Sequence, residues 1–467
     1  MVVIGAGAAG LMAALVARGS VGADGGERPV PSDAPSVLVL EGSSRLGLKI
    51  LISGGGRCNV CNVSASEHDF VTDRSFALRA MLREFPAAWL RTFFECRGLE
   101  LEEEPIGKLF PRTQKARDVL DLLLHSLRES GARLRSGAEV NEIVRPPDQD
   151  RWTVQGNGFE PVAGRTVILA TGGKSLPKTG SRGFGFALAQ KLGIEMEEPV
   201  PALTPILLSD ESLLQSLAGL TLPVLLSLSP ADTPEDQVAG ARFSPLARAA
   251  GSLLVTHHGV SGPAALDVSG AVARSLARGE AALLHADFWT LTQPDGPYRE
   301  YRDLRKAPGS SLPSSLRVRP ISFEAFAEDL HRVAGATTLL SGIARRIPRS
   351  LAALLLEHAR LSGTALLSNL ASSELKRLYR CLVHWRLPIR DTEGYAKAEV
   401  TAGGVLLAEL DRRTLECRRH PGLFFCGEVV NVTGRLGGFN FQWAFTSGAL
   451  AGRGAAASRS GACRGRE

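Results

Sequence analysis

The sequence predicts an α/β protein, and three observations carry that expectation. Val2–Ile4 is a short, continuously apolar, β-branched run of the kind found in strands buried on both faces of a parallel sheet, and it passes directly into Gly5-Ala6-Gly7-Ala8-Ala9-Gly10. Ala8 to Ala17, with Leu11, Leu15 and Val16 on one side, then reads as a helix packed on that strand. Similar buried runs recur at Val37–Leu40 and Thr166–Leu169.

Further elements follow in chain order. Residues 19–36 hold so much Gly, Pro, Asp and Ser that they read as a loop insertion before the second strand. Lys115 to Arg128 carries Val119, Leu122, Leu123 and Leu127 at helical spacing, and the stretch around Val140, Ile143, Trp152 and Val154 reads as short strands. After Pro199, short apolar runs broken by Pro, Gly and Asp, up to about Trp289, predict a β-rich second unit. Residues 293–316 read as linker, and helical patterns at 322–334, 347–361 and 372–383 predict a helical unit over 317–383. Glycine-rich, strand-like texture returns from Ala396, with a helix expected from Gln442 to Leu450 and a disordered tail over 453–467.

Composition narrows the function classes. A chain of 467 residues exceeds a single usual domain, and its 44% hydrophobic content contains no apolar run near the roughly 18 residues of a membrane span. Seven scattered cysteines predict a reducing compartment without structural disulfides. The net charge of +6 is spread along the chain, so neither a membrane nor a nucleic-acid partner is expected, and oligomeric state is left open. Val-Val-Ile-Gly directly after Met1 holds no leader pattern, which predicts a cytoplasmic protein, or an organellar one if a leader precedes this sequence.

The glycine turn has the strand-before, helix-after context that gives a GxGxxG pattern its meaning. Gly5 permits the tight turn, Gly7 lets backbone approach a pyrophosphate, and Gly10 allows close helix contact, while the helix start favours negative charge. Glu41 is the expected ribose carboxylate, later than usual because of the 19–36 insertion. Three distant segments favour FAD over NAD. Ala170-Thr171-Gly172-Gly173 gives a second close backbone approach, and Gly427-Glu428 delivers a carboxylate to ribityl hydroxyls. The Gly437-Gly438 turn opens a last helix whose amides would face an isoalloxazine.

Leu51 to Asn62 holds three successive glycines, Arg57 and a Cys58-x-x-Cys61 pair. Arg57 suits a pyrophosphate or an anionic substrate, and the cysteines leave a flavin and dithiol reductase as an alternative. A zinc site is not expected, nor any other metal site. His257, beside His258 in a glycine turn, is a candidate acid or substrate donor, and Arg57 is the other catalytic candidate.

The chain resembles the BaiN-like FAD-dependent oxidoreductases, also known as the aminoacetone-oxidase family of FAD-binding enzymes. The resemblance rests on VVIGAGAAGL (2–11), ISGGGRCN (52–59), LFPRTQKARDV (109–119), ATGGKSLPKTGSRGFGF (170–186), THHGVSGPAAL (256–266), AEVTAGGV (398–405) and GLFFCGEVVNVTGRLGGFNFQWAFTSG (422–448). It implies a Rossmann-like FAD-binding domain built from both chain ends, 1–197 and 395–458, with an inserted β-barrel-like substrate unit over 198–292, returning around 384–394, and a helical insertion over 317–383. It implies cofactor contacts at Gly5, Gly7, Ala8, Ala9, Gly10, Glu41, Gly55, Arg57, Cys58, Asn59, Ala170, Thr171, Gly172, Gly427, Glu428, Gly438, Asn440 and Gln442, with Val140 near the adenine. The chain departs from the family pattern at Cys61, usually Thr, and at Asn431-Val432-Thr433, often Asp-Val-Asp. The expected activity is hydride transfer between flavin N5 and a small organic substrate, with NAD(P)H a candidate diffusible co-substrate. A flavin-containing RNA-binding or RNA-modifying protein is the remaining alternative.

Overall fold

The computed structural model describes residues 1–146, 149–234, 244–293, 318–334 and 337–458. They form two compact units, Met1–Pro199 with Val400 onward, and Val200–Glu399. The expected linker falls almost wholly outside the described residues, as does the expected tail from 459.

The first unit is built on a five-stranded parallel sheet in the order Leu423–Phe425, Val167–Leu169, Val2–Ile4, Leu38–Glu41, Arg133–Ser136. Val2 pairs with Val167 on one side and Leu38 on the other, and all three residues of its strand are buried. Burial on both faces is why these strands read as unbroken apolar runs. Leu423 pairs with Val167, which ties the C-terminal part of the chain into the N-terminal sheet.

Two helices complete the join. Phe439–Ala457 lies against Ala8–Ala17, and glycine makes the approach close: a Cβ on Gly448 would fall 2.4 Å from the Ala9 carbonyl oxygen, and one on Gly452 2.2 Å from that of Ala13. Any side chain there would force the helices apart. This helix begins before and ends after the stretch expected from sequence, and Arg453–Ala457, expected as disordered tail, are helical. Gly454 packs on Thr414, and Arg453 bonds Glu84 and the Arg413 carbonyl, so tertiary contacts extend the helix past its leucines.

In the second unit seven strands run antiparallel to their neighbours in the order 385–387, 282–287, 221–230, 247–255, 259–261, 206–208, 389–392. The two edge strands are separated only by Pro388. Laid flat, seven strands would hold those edges roughly 29 Å apart, while two residues span at most about 7 Å. The sheet therefore curls until its edges meet. Helices Phe323–Ala334, Leu339–Ile343, Arg349–His358 and Ser372–Val383 share its hydrophobic core through Phe326, Leu355 and Leu382. Among the described residues no helix is long and apolar enough to cross a membrane, and no cluster of three or more His, Cys, Asp or Glu could hold a metal ion.

A polar pocket with room for about one water lies in this unit, lined by Ser227, Arg248, His285, Asp287 and His384 among others. Burial pushes the Asp287 carboxyl up to about 6 from 3.8, against hydrogen bonds from Thr290 and Trp289. Burial also holds the His384 imidazole down to about 4 from 6.5, with His285 and Arg380 adding to the effect. The signs oppose. A raised carboxyl stabilises the fold at low pH and loses that contribution as pH rises through 6; a lowered imidazole stabilises it above 6.5 and loses that as pH falls through 4. Asp287→Asn removes the first effect and exposes the second. Its stability to urea is expected to drop between pH 6.5 and 4 by on the order of 3 kcal/mol more than that of the unsubstituted protein.

Candidate dinucleotide site

The C-terminal ends of the parallel strands converge on the glycine turn. Gly5 has φ of +103°, and a Cβ there would lie 2.3 Å from the Ala170 carbonyl oxygen. Gly10 is equally constrained, its Cβ position falling 1.9 Å from the Gly5 carbonyl oxygen. These two glycines answer to packing. Gly7 differs, because nothing comes within 4 Å of its Cβ position and its φ of −79° is ordinary. It is the N-cap of helix Ala8–Ala17, and no side chain caps that helix. The amides of Ala8, Ala9 and Gly10 thus keep the donors that an anion at a helix start would take.

Glu41 ends the next strand. One carboxylate oxygen accepts the Ala6 amide at 2.8 Å and the other the Ser43 amide at 2.9 Å, so the side chain that would hold a ribose also fixes the glycine turn. A carboxylate has about four acceptor positions, which leaves capacity for hydroxyls. Buried Val140 follows Glu139, whose Cα lies 3.7 Å from the Cβ position of Gly42, so Val140 sits beside the end of this strand.

The C-terminal segments reach the same place. The Cβ position of Gly427 (φ +75°) is 2.9 Å from the Ala9 Cβ, and that of Gly438 is 2.7 Å from both Asn59 Oδ1 and the Cys61 carbonyl oxygen. Gly427 is held by the Ser447 hydroxyl on its amide and the Trp443 indole on its carbonyl. Gly54, Gly55 and Gly56 all have positive φ, and Gly55 again has nothing within 4 Å of its Cβ position. Asn59 Oδ1 and Thr171 Oγ1 are buried with no hydrogen-bond partner among the described residues. Open glycines, an uncapped helix start and orphaned buried oxygens are features a bound dinucleotide would complete, and on these grounds the residues fit FAD.

Several expected side chains are occupied otherwise. Gln442 is 0% exposed; its amide nitrogen donates to the Phe85 carbonyl and the Thr446 hydroxyl, which braces the last helix, while its Oε1 is buried with no hydrogen-bond partner among the described residues. Asn440 closes both amide atoms on Gly434. Arg57 bonds Glu104 at 2.6 Å and Gln114 at 3.0 Å and lies over the Phe110 ring. Cys58 has φ of +61°, and burial pushes its thiol up to about 12; burial raises the Cys61 thiol as well. Burial favours the neutral form of both thiols, which is how enclosed cysteines pack as small apolar groups. His257 is an exposed residue of the second unit.

Glu428 is held by more than the sequence disclosed. Its oxygens accept from Lys49 Nζ (2.9 Å), the Ser175 hydroxyl (3.0 Å) and the Thr401 amide (2.8 Å), and Gly173 packs on it so closely that a Cβ there would come within 2.2 Å. Lys49 belongs to no motif, and nothing in AEVTAGGV singles out Thr401. The one available signal for the lysine was its place two residues after Gly47 and three before the ISGGGRCN segment.

The family described as HI0933-like protein Rossmann domain matches residues 1–454. The chain is 29% identical to a ribosomal RNA dihydrouridine synthase of Escherichia coli, over 96% of this chain and 95% of that one. It is 30% identical to a 3-dehydro-bile acid delta(4,6)-reductase of Clostridium scindens, over 97% of this chain and 98% of that one. Among solved structures, a variant of E. coli quinol fumarate reductase FrdA has a TM-score of 0.46 at 16% identity, covering 100% of this chain and 71% of that one.

The contrast between packed and open glycines is testable. Gly10→Ala is expected to destabilise the protein by about 2 kcal/mol through overpacking. Gly7→Ala is expected to leave unfolding of the cofactor-free protein within about 0.5 kcal/mol yet weaken FAD binding roughly tenfold or more, the cost of about one lost amide contact to an anion. Urea unfolding and a fluorescence titration with FAD measure the two effects.

Proposed function

The chain belongs to the HI0933-like family, and on that premise we propose that this FAD-dependent oxidoreductase reduces a carbon–carbon double bond conjugated to a carbonyl group in a small organic substrate. The observation that carries the cofactor half of the reading is the open Gly7 helix start facing Gly427 from the other end of the chain. The substrate half draws on the names of two relatives that align over nearly all of this chain. Forming dihydrouridine saturates a ring double bond conjugated to a carbonyl, and a delta(4,6)-reductase of a 3-dehydro compound acts on double bonds conjugated to a 3-oxo group. The shared chemistry is delivery of two electrons and two protons to an electron-poor alkene.

FAD, when bound, supplies a two-electron carrier able to pass a hydride. The residues of the chain do the holding. Amides of Ala8, Ala9 and Gly10 receive the diphosphate, Glu41 the ribose, and Val140 the adenine, while Asn59, Thr171 and the Ala170–Gly172 and Gly438 turns line the rest of the cofactor. The uncapped start of helix Phe439–Ala457 offers its first amides to negative charge that develops on reduction. Arg57, already oriented by Glu104 and Gln114, is the proposed anchor for an anionic substrate group, and NAD(P)H the proposed reductant.

A second reading, RNA as the carrier of the reduced ring, is favoured by the E. coli relative's name. One experiment separates the readings. The flavin is bleached anaerobically with NADH or NADPH, and the return of its visible band is followed on adding cyclic enones, free uridine or uridine-containing RNA. A conjugated small molecule is expected to restore the band, one equivalent per flavin. Restoration by RNA alone would select the second reading. Failure of every conjugated acceptor, with bleaching of the oxidised flavin by amines instead, would overturn both.

A further inference from the structure

The expectation of no nucleic-acid partner rested on positive charge spread along the chain, and the second unit departs from it. Residues 345–390 hold nine Lys and Arg against two carboxylates, Glu357 and Glu374, a surplus of seven in a chain whose net charge is +6. The rest of the protein is on balance slightly acidic. Eight of the nine cations are exposed, and the ninth, Arg346, turns inward to Asp329. Like charges held together on one surface repel, so solubility alone does not explain the grouping.

The fold gathers these cations further. On helix Ser372–Val383, Leu378, Tyr379 and Leu382 are buried, which leaves Lys376, Arg377 and Arg380 together on the outward face. Arg377 donates to the Ala359 carbonyl at 3.2 Å, which brings it beside Arg360 at the end of helix Arg349–His358. From the same helix end, the ring of His358 lies 4.7 Å from that of Trp385, the residue before exposed Arg386. Glu374 stands 3.7 Å from Arg377 and also accepts the Ala371 amide, so it offsets one charge of this face at most.

We infer that this face of the second unit binds the phosphodiester backbone of RNA. Its cations are arginines apart from Lys376, and the guanidinium fork matches a phosphate with two parallel hydrogen bonds. A bilayer surface fits less well. A helix lying on lipid needs an apolar face to insert, and here Leu355, Leu378 and Leu382 already belong to the core. The inference rests on the second reading above for its partner, and it concerns holding the RNA, not reducing it.

The test follows binding of a short, labelled, uridine-containing RNA to the full-length protein by fluorescence anisotropy over a range of salt concentrations. The unsubstituted protein is expected to bind, with affinity falling steeply as salt rises. Combined Arg360→Gln, Lys376→Gln and Arg380→Gln is expected to weaken binding roughly tenfold or more and to lower the salt slope by about two. Replacing three exposed arginines of the first unit, Arg117, Arg128 and Arg165, by Gln lowers the net charge equally and is expected to change affinity by about threefold at most. Absence of RNA binding, equal weakening by the two sets, or binding of phosphatidylglycerol vesicles in place of RNA overturns the inference. Urea midpoints report the folding of each variant. Should the first triple variant not fold, Lys376→Gln alone decides, with an expected slope change of about one. The two ideas fail separately: RNA that binds this face without restoring the bleached flavin band sinks the second reading alone. Limiting RNA that restores the band equally well with the triple variant sinks the binding face alone.

Discussion

The first unit depends on one packing constraint, the backbone-to-backbone approach of helix Phe439–Ala457 to helix Ala8–Ala17. Gly448 and Gly452 leave no room for a Cβ against Ala9 and Ala13, so the two helices fit in a single register. That register sets Gly427 against Ala9 and the Gly438 turn against Asn59 and Cys61. Strand Leu423–Phe425 pairs into the same sheet and fixes the direction from which the last segment arrives. A site whose parts lie more than 400 positions apart in sequence is thereby positioned by core packing.

The chemistry of the cradle follows from what that packing leaves unfilled. Gly5 and Gly10 are pressed against backbone, while Gly7 and Gly55 face open space. Carboxylates serve twice: Glu41 ties down the glycine turn while ending the strand where a ribose belongs, and Glu428 fastens Lys49, Ser175 and Thr401 into one turn. Burying a carboxylate this far without partners would be costly, so each is surrounded by donors. What remains is open backbone at Gly7 and Gly55 beside a helix start that no side chain caps.

Much of this was legible in the sequence because short-range rules govern it. Val2–Ile4 and Thr166–Leu169 announce doubly buried strands, and glycines at 5, 7 and 10 have few other uses between a strand and a helix. What stayed hidden depends on tertiary partners. Lys49 and Glu428 are 379 positions apart, and neither lysine nor glutamate carries a pattern that names its partner. Gln442, a cofactor ligand by resemblance, also donates to the Phe85 carbonyl 357 positions away, a bond that no local pattern discloses. Arg453–Ala457 have the composition of a tail, yet Gly454 on Thr414 and Arg453 on Glu84 keep them helical.

The account is tested most directly by amide hydrogen exchange on the full-length protein with and without saturating FAD. Joint slowing is expected in segment 5–10, segment 53–59 and segment 437–442, since one ligand bridges all three. Protection confined to the N-terminal turn, with residues 437–442 exchanging at their ligand-free rate, would contradict a cofactor held by both ends of the chain.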